Sequence, residues 1–151
     1  MTRILFVCLG NICRSPTAEG VIRKLADDAK IPLSFDSAGT GDYHVGEPPY
    51  GPMQAAARNR GYDLSSLRAR QFTAQDFYDF DLIIGMDDSN IANIERLRPQ
   101  GMATDVRRLL DYHPENSLTE VPDPYYTREF DLVIDLVEAA GNSLISQLNA
   151  G

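Results

Sequence analysis

Apolar residues along the chain fall into short runs that predict strands and into longer stripes that predict helices. The run from Ile4 to Val7 is apolar throughout, which is typical of a strand buried on both faces of a sheet. Alternation of apolar and polar residues around Leu33 and Phe35 predicts a second strand. Two further segments, 82–84 and 106–110, are predicted to complete a set of four strands.

Between these runs, apolar residues recur at helical spacing. Ser15 is predicted to cap the first helix, with Pro16 at the first helical position, where its missing N–H costs nothing. A second helix is predicted over 52–61, and Thr73 with Asp76 resembles a capping box that opens a short helix. The apolar stripes that predict the other helical faces are Ala18, Val21, Ile22, Leu25 and Ala29; Ile91, Ile94 and Leu97; and Phe130, Ile134, Val137, Ala140, Leu144 and Leu148.

This alternation of strands and helices predicts a three-layer, doubly wound α/β sandwich with a central four-stranded parallel sheet. The 151 residues suit one domain, spanning 1–151, with a single core. Ligands of such folds bind at the carboxyl ends of the strands. The loop that follows the first strand is therefore the first place to look for a site.

The net charge of the chain argues against a nucleic-acid-binding protein. The formal net charge is −8, and the 14 Lys and Arg residues are scattered, so the basic stripe of a nucleic-acid-binding protein is missing. A bound phosphate would have to be held locally, in a pocket. Because no apolar run is long enough to span a bilayer and the N-terminus lacks a signal-peptide pattern, we expect a cytoplasmic protein that binds neither membrane nor nucleic acid.

The cysteine and histidine content gives no metal site. Cys8 and Cys13 are the only cysteines, and His44 and His113 lie far apart in sequence. Two cysteines are too few for a disulfide scaffold or for a four-thiolate zinc site. We therefore expect no metal.

The loop after the first strand has the chemistry of a phosphate-binding loop (P-loop). Backbone N–H groups that curl into a helix start form an anion nest, and the helix N-terminus adds partial positive charge. Gly10 and Asn11 tolerate the left-handed backbone that such a curl needs, and Arg14 offers a planar fork for two phosphate oxygens. The predicted phosphate-binding residues are Leu9, Gly10, Asn11, Ile12, Cys13, Arg14 and Ser15.

Cys8 would lie at the centre of this positive field. The field is expected to depress the pKa of its thiol below the reference of about 8.5, which poises a thiolate for in-line attack on phosphorus. Ser15 could donate its hydroxyl to that sulfur. Two alternatives remain: an inert core thiol, and a phosphate-binding module without turnover. A nucleotide-type P-loop is excluded because no Gly-Lys-Ser/Thr sequence is present.

The segment CLGNICRSP, residues 8–16, resembles the signature of the low-molecular-weight protein tyrosine phosphatases. Other segments resemble further motifs of that family, in the same order: DSAGT at 36–40, ARQ at 69–71, MDDSN at 86–90 and DPYY at 123–126. The resemblance implies a flavodoxin-like fold and a phosphatase that acts on phosphotyrosine proteins or small aryl phosphates. It implies no metal or organic cofactor. We expect, separately, a monomer or a protein that associates weakly with itself.

The family resemblance also assigns roles within the site. Cys8 is expected to form a phosphocysteine, with Arg14 holding the phosphoryl group and Asp123 acting as general acid and then base; the residues alone do not single out Asp123. Because Asp123 must be protonated when substrate binds, activity should favour mildly acidic pH. Tyr43 is expected on the rim of the pocket, and the opposite wall is expected from Tyr125 and Tyr126.

One departure from the family pattern, the role of Cys13 and one rival enzyme stay open. Relatives brace Asn11 with a histidine, where this chain has Leu67, which puts that network in doubt. Cys13 could close a protective, reversible disulfide with Cys8, or merely fill space. The closest rival enzyme is an arsenate reductase of the same fold, which needs resolving cysteines downstream; no cysteine follows Cys13.

Overall fold

A parallel sheet lies at the centre of the structure, a computed structural model that describes residues 1–113 and 118–150. Within these residues four strands pair in the order β2-β1-β3-β4, and every pairing is parallel. The strands are β1 Thr2–Cys8, β2 Leu33–Gly39, β3 Leu82–Gly85 and β4 Asp105–Arg108. The predicted doubly wound sandwich with a four-stranded sheet is confirmed.

Helices follow each strand and cover both faces of the sheet. They are α1 Arg14–Asp28, α2 Gly51–Asn59, α3 Asp76–Asp79, α4 Asp88–Glu95, α5 Pro124–Thr127 and α6 Phe130–Ala150, with a 3₁₀ helix at Leu109–Tyr112. Every helix predicted from the apolar spacing is present, and α5 is an addition. In the part of the chain that the structure describes, no helix has the length and apolar character needed to cross a membrane.

Strand β1 is apolar throughout because each of its faces packs on a separate core. Ile4 and Phe6 belong to the larger core, which includes side chains of α1 and α6. Leu5 and Val7 belong to a smaller core with residues of α3 and α4. Cys8 ends the strand, 3% exposed, at the carboxyl edge of the sheet. The sheet therefore delivers this sulfur to the edge where doubly wound folds bind ligands.

Strand β4 is shorter than predicted. It ends at Arg108, and Leu109 and Leu110 begin the 3₁₀ helix instead of extending the strand. Both leucines are buried in the larger core. Successive side chains of a strand point to opposite faces, so two adjacent leucines reach one core only if the backbone turns.

The predicted cap of α1 is wrong. The helix begins at Arg14, Cys13 occupies the N-cap position without a side-chain hydrogen bond, and Pro16 is the third helical residue. Ser15 does not cap the helix because its hydroxyl contacts Cys8 and Asn11. The first turn of α1 thus carries its polar side chains back toward the P-loop.

Candidate active site

The P-loop wraps polar groups around the sulfur of Cys8. The backbone N–H of Asn11 donates to Cys8 Sγ at 3.3 Å, and Ser15 Oγ lies 3.0 Å from the same sulfur. Asn11 has a φ of 56°, the left-handed conformation that this curl requires. The sulfur is therefore buried beside a backbone N–H donor and a hydroxyl, which distinguishes it from an inert thiol in an apolar core.

The side chain of Asn11 holds the loop in this shape. Its Nδ2 donates to Ser15 Oγ at 2.7 Å and to Ser37 Oγ at 3.0 Å, and its Oδ1 accepts from the backbone N–H of Arg70 at 3.0 Å. Leu67, in place of the family's histidine, packs against the larger core. The bracing network is thus closed without an imidazole, and the doubt raised by Leu67 is resolved for this part of the site.

A buried carboxylate extends the bracing network away from the P-loop. Ser37 Oγ donates to Glu19 Oε1 at 2.7 Å, and Arg23 Nη2 donates to Glu19 Oε2 at 2.7 Å. Burial raises the pKa of Glu19, although these two partners oppose the shift. Sequence reasoning missed Glu19, because an acidic residue inside a helix carries no signal of its buried partners.

Arg14 is fixed in place by partners distant in sequence. Its side chain is 3% exposed, and its Nη1 donates to Asp87 Oδ2 at 2.7 Å and to the carbonyl of Val121 at 3.1 Å. Asp87 also caps α4 by accepting from the backbone N–H of Asn90 at 2.7 Å. Asp87 had no predicted role, although it lies in the MDDSN segment that resembles a family motif.

Asp123 lies across the site from the P-loop. Its Oδ2 is 3.6 Å from Arg14 Nη2, and its Oδ1 accepts from the backbone N–H of Tyr125 at 3.1 Å, which caps α5. The carboxylate is 26% exposed, so it reaches both the arginine and solvent. The structure therefore brings the predicted acid and the predicted phosphate-binding arginine together.

One cavity of about 370 Å³ lies above Cys8. Tyr43 and Tyr126 stand on its rim, 73% and 74% exposed, and Tyr125 is 43% exposed. Asn11 and Ser15 lie behind the cavity wall and brace it. The residues that line the cavity are Cys8, Leu9, Gly10, Ile12, Cys13, Arg14, Tyr43, His44, Asp123, Tyr125 and Tyr126. Nearly all predicted site residues thus surround one hollow, and His44 is an addition.

The pKa values of two residues that line this cavity, Cys13 and Arg14, are both raised, but for different reasons. Burial raises the pKa of Cys13 to about 12, and the nearby Cys8 and Asp123 add to the shift. Burial opposes the charged form of Arg14, but Cys8 and Asp87 outweigh it, so the pKa of Arg14 is raised. At neutral pH the site therefore holds a fixed cation and a protonated second thiol. Both cysteines are free thiols, and a disulfide between them stays a prediction.

The protonated state of Cys13 predicts selective alkylation. Iodoacetamide reacts with thiolates, so at neutral pH it should leave Cys13 unmodified, and the labelling of Cys8 is measured alongside it. Because the pKa of Cys13 is raised to about 12, its labelling should grow only as pH rises toward that value. Peptide mass spectrometry checks both sites. Unfolded protein, in which thiols titrate near about 8.5, should be labelled at both positions. Labelling of Cys13 in the folded protein at neutral pH, at the rate measured in the unfolded protein, would contradict this assignment.

Among residues 1–113 and 118–150, no group of three or more His, Cys, Asp or Glu side chains could hold a metal ion. Arg14 and the curled backbone are the groups that could hold an anion. The geometry suits a bound tetrahedral oxyanion placed over a sulfur nucleophile.

Comparison with known proteins gives consistent matches over nearly the full chain. The family model described as "Low molecular weight phosphotyrosine protein phosphatase" matches residues 3–151. Low molecular weight protein-tyrosine-phosphatase YfkJ of Bacillus subtilis is 41% identical over 150 residues, covering 98% of this chain and 96% of the relative. PtpA of Staphylococcus aureus is 37% identical, covering 98% of this chain and 94% of the relative.

A solved structure agrees with the sequence matches. The crystal structure of a protein tyrosine phosphatase from Entamoeba histolytica is 37% identical and superposes with a TM-score of 0.94, covering 100% of this chain and 99% of that chain. The predicted family resemblance is confirmed by sequence and by fold. It follows that this chain belongs to the low molecular weight phosphotyrosine protein phosphatase family and is an enzyme of that class.

Proposed function

We propose that this enzyme hydrolyses phosphotyrosine through a phosphocysteine on Cys8, with Asp123 as general acid and base. The observation that carries the proposal is the position of the Cys8 sulfur, which lies 3.3 Å from a P-loop backbone nitrogen inside a cavity that Arg14 and Asp123 also line. Few other chemistries need a nucleophile, an anion site and a carboxylate around one hollow.

The first step transfers the phosphoryl group to sulfur. The P-loop N–H groups and Arg14 bind the phosphate oxygens, while the thiolate of Cys8 forms the S–P bond. Because Arg14 Nη1 is held by Asp87 and the carbonyl of Val121, we assign the phosphate to its Nε and Nη2 donors. The guanidinium of Arg14 is held in place before substrate arrives, so little reorganisation is needed during the reaction.

Asp123 serves the leaving group. As the P–O bond breaks, its electron pair passes to the phenolate oxygen, which takes a proton from the carboxyl group of Asp123. In the free enzyme Asp123 lies 3.6 Å from Arg14 Nη2 and caps α5. A bound phosphate would compete for that arginine and favour the protonated acid.

The second step frees the enzyme. A water molecule gives a proton to Asp123 and attacks phosphorus, and the S–P bond breaks with its electron pair returning to Cys8. Ser15 Oγ, 3.0 Å from the sulfur, stabilises the departing thiolate by donating a hydrogen bond. No cofactor enters either step.

The shape of the cavity favours aryl phosphates. Cys8 is 3% exposed, whereas Tyr43 and Tyr126 stand on the exposed rim, so the phosphate must reach past the rim to the sulfur. A phenyl ring has that reach and stacks on aromatic walls, whereas the short side chain of phosphoserine does not. The proposed substrates are therefore phosphotyrosine proteins and small aryl phosphates.

Hydrolysis of matched peptides tests this proposal. The enzyme should release phosphate from a phosphotyrosine peptide and from p-nitrophenyl phosphate, with inhibition by orthovanadate. It should cleave the same peptide with phosphoserine at least about 100-fold more slowly, because binding energy from the ring is lost. Equal rates on both peptides, or no hydrolysis of either aryl substrate, would overturn it.

The sequence supports three further expectations about the enzyme in the cell. A single phosphatase domain over 1–151, a cytoplasmic location and a state that is monomeric or weakly self-associating stay predictions. The same holds for a protective disulfide between Cys13 and Cys8, for which recovery from peroxide in a Cys13→Ser variant is the relevant measurement.

A further inference from the structure

A second groove opens beside the active-site cavity. Its volume is about 340 Å³, and it shares Ile12, His44 and Tyr125 with the cavity above Cys8. We call it the flanking groove, and the residues that line it are Ile12, His44, Glu47, Pro48, Pro49, Tyr50, Gly51 and Tyr125. A substrate peptide bound with its phosphorylated side chain over Cys8 would therefore place a neighbouring residue of that peptide at this groove.

Backbone hydrogen bonds hold the wall of the flanking groove in place. The N–H of Tyr50 donates to the carbonyl of Ile12 at 2.8 Å, which ties the wall to the P-loop itself. The carbonyl of Glu47 accepts from the N–H of Ala69 at 2.9 Å, and the side chain of Gln54 donates to the carbonyl of Pro49 at 2.7 Å. Because the wall is already ordered, binding of an occupant would lose little conformational entropy in the wall.

The lining combines apolar surface with a single formal charge. Pro48, Pro49 and the ring of Tyr50 supply the apolar surface. Glu47 is the one Asp, Glu, Lys or Arg among the described residues that line the groove, and its side chain is 57% exposed. His44 contacts its Oε2 atom, which leaves Oε1 for a partner.

The positive charge of Arg128 lies next to Tyr50, a residue of the groove wall, and opposes the negative charge of Glu47. The guanidinium of Arg128 stacks 5.4 Å from the centre of the Tyr50 ring and donates to the Tyr50 hydroxyl at 2.9 Å. It is not among the residues that line the groove, whereas Glu47 is. The chain as a whole carries a net charge of −8, which adds to the attraction for a basic group.

We propose that the flanking groove is a substrate subsite that selects an arginine or lysine side chain next to the phosphotyrosine. The aliphatic stem of that side chain packs on Pro48, Pro49 and Tyr50, and its cationic head pairs with Glu47. The inference rests on the proposed function, since only a substrate anchored over Cys8 presents its neighbours to this groove. It adds a sequence preference that the active-site cavity alone does not give.

The ratio of kcat/KM for two peptides tests the subsite. One phosphotyrosine peptide carries arginine at the positions flanking the phosphotyrosine, and the other carries glutamate there. The wild-type enzyme should prefer the arginine peptide by at least about threefold, mainly through KM, as an exposed charge pair at a rim permits. Glu47→Arg should abolish or invert the ratio, and Glu47→Gln should give an intermediate value. Comparing two peptides on one enzyme cancels any general effect on the chemistry.

Asp105→Arg is the matched control for net charge. Asp105 is 67% exposed and is the first residue of β4. It therefore lies at the amino ends of the parallel strands, whereas the active site lies at their carboxyl ends, and this variant should keep the wild-type ratio. The subsite is overturned by a wild-type ratio near one, by a ratio that Glu47→Arg leaves unchanged, or by an equal loss in Asp105→Arg. If wild type hydrolyses p-nitrophenyl phosphate in any of these cases, only the subsite fails. If it does not hydrolyse that substrate, the proposed function fails and the subsite with it.

Discussion

Replacing Cys8 by serine is expected to lower kcat by at least about 10⁴-fold on every phosphate ester, because a neutral hydroxyl is a far weaker nucleophile than a thiolate. The change is small in volume, and a serine oxygen can still accept the Asn11 N–H that now reaches the sulfur at 3.3 Å. The fold and the anion site should therefore survive. Hydrolysis of p-nitrophenyl phosphate measures the loss.

Two further measurements separate loss of the nucleophile from loss of the site. Orthovanadate or phosphate should still raise the melting temperature of Cys8→Ser, since the P-loop and Arg14 are intact. Cys13→Ser is the matched control, because it removes the neighbouring thiol of the same cavity and should keep at least about a tenth of wild-type kcat. Residual turnover by Cys8→Ser within about tenfold of wild type would remove Cys8 from the mechanism.

The second large effect is expected at Asp123. Asp123→Ala should lower kcat on phenyl phosphate by about 10² to 10³-fold, because the poor leaving group then departs without a proton. The loss should shrink on p-nitrophenyl phosphate, whose leaving group is stable as an anion. A plot of rate against leaving-group pKa for the variant and the wild type gives this comparison directly.

Asp123→Asn controls for the structural role of this side chain. The Oδ1 of Asp123 accepts from the Tyr125 N–H and caps α5, and loss of such a cap costs about 1 kcal/mol. Asparagine preserves the cap but has no proton to give, so it should be as slow as alanine on phenyl phosphate while retaining wild-type stability. If asparagine restored the rate, Asp123 would be a structural cap and another group would be the acid.

The sequence predicted those parts of the fold that depend on local patterns. The apolar run of β1 and the stripe of α6 predicted both elements because burial on a sheet or a helix face imposes a short repeat. Gly10 and Asn11 together predicted a left-handed curl, which is correct for Asn11, with a φ of 56°, and wrong for Gly10, whose φ is not positive. Local signals failed where two uses of one side chain competed: Ser15 looked like a cap, but its hydroxyl lies 3.0 Å from Cys8 Sγ.

The partners of the site residues could not be predicted from spacing. Asp87 is 73 residues from Arg14 in sequence, yet their side chains are 2.7 Å apart. Ser37 similarly joins Glu19 to the P-loop through contacts between β2 and α1. Such pairs depend on how strands align in the sheet, which no local pattern encodes. Asp123 was identified only through the family resemblance, because many acidic residues fit a turn equally well.

The central claim is that the phosphoryl group passes through the sulfur of Cys8, and acid quenching of the reaction tests it most directly. Asp123→Ala should be mixed with p-nitrophenyl phosphate and quenched within the first turnovers, since a good leaving group spares the first step while the second step lacks its base. Peptide mass spectrometry should then find one phosphoryl group on the peptide that contains Cys8. Release of free phosphate at the steady-state rate from the first turnover, with no phosphoryl group on Cys8 or with one on another residue, would contradict the account.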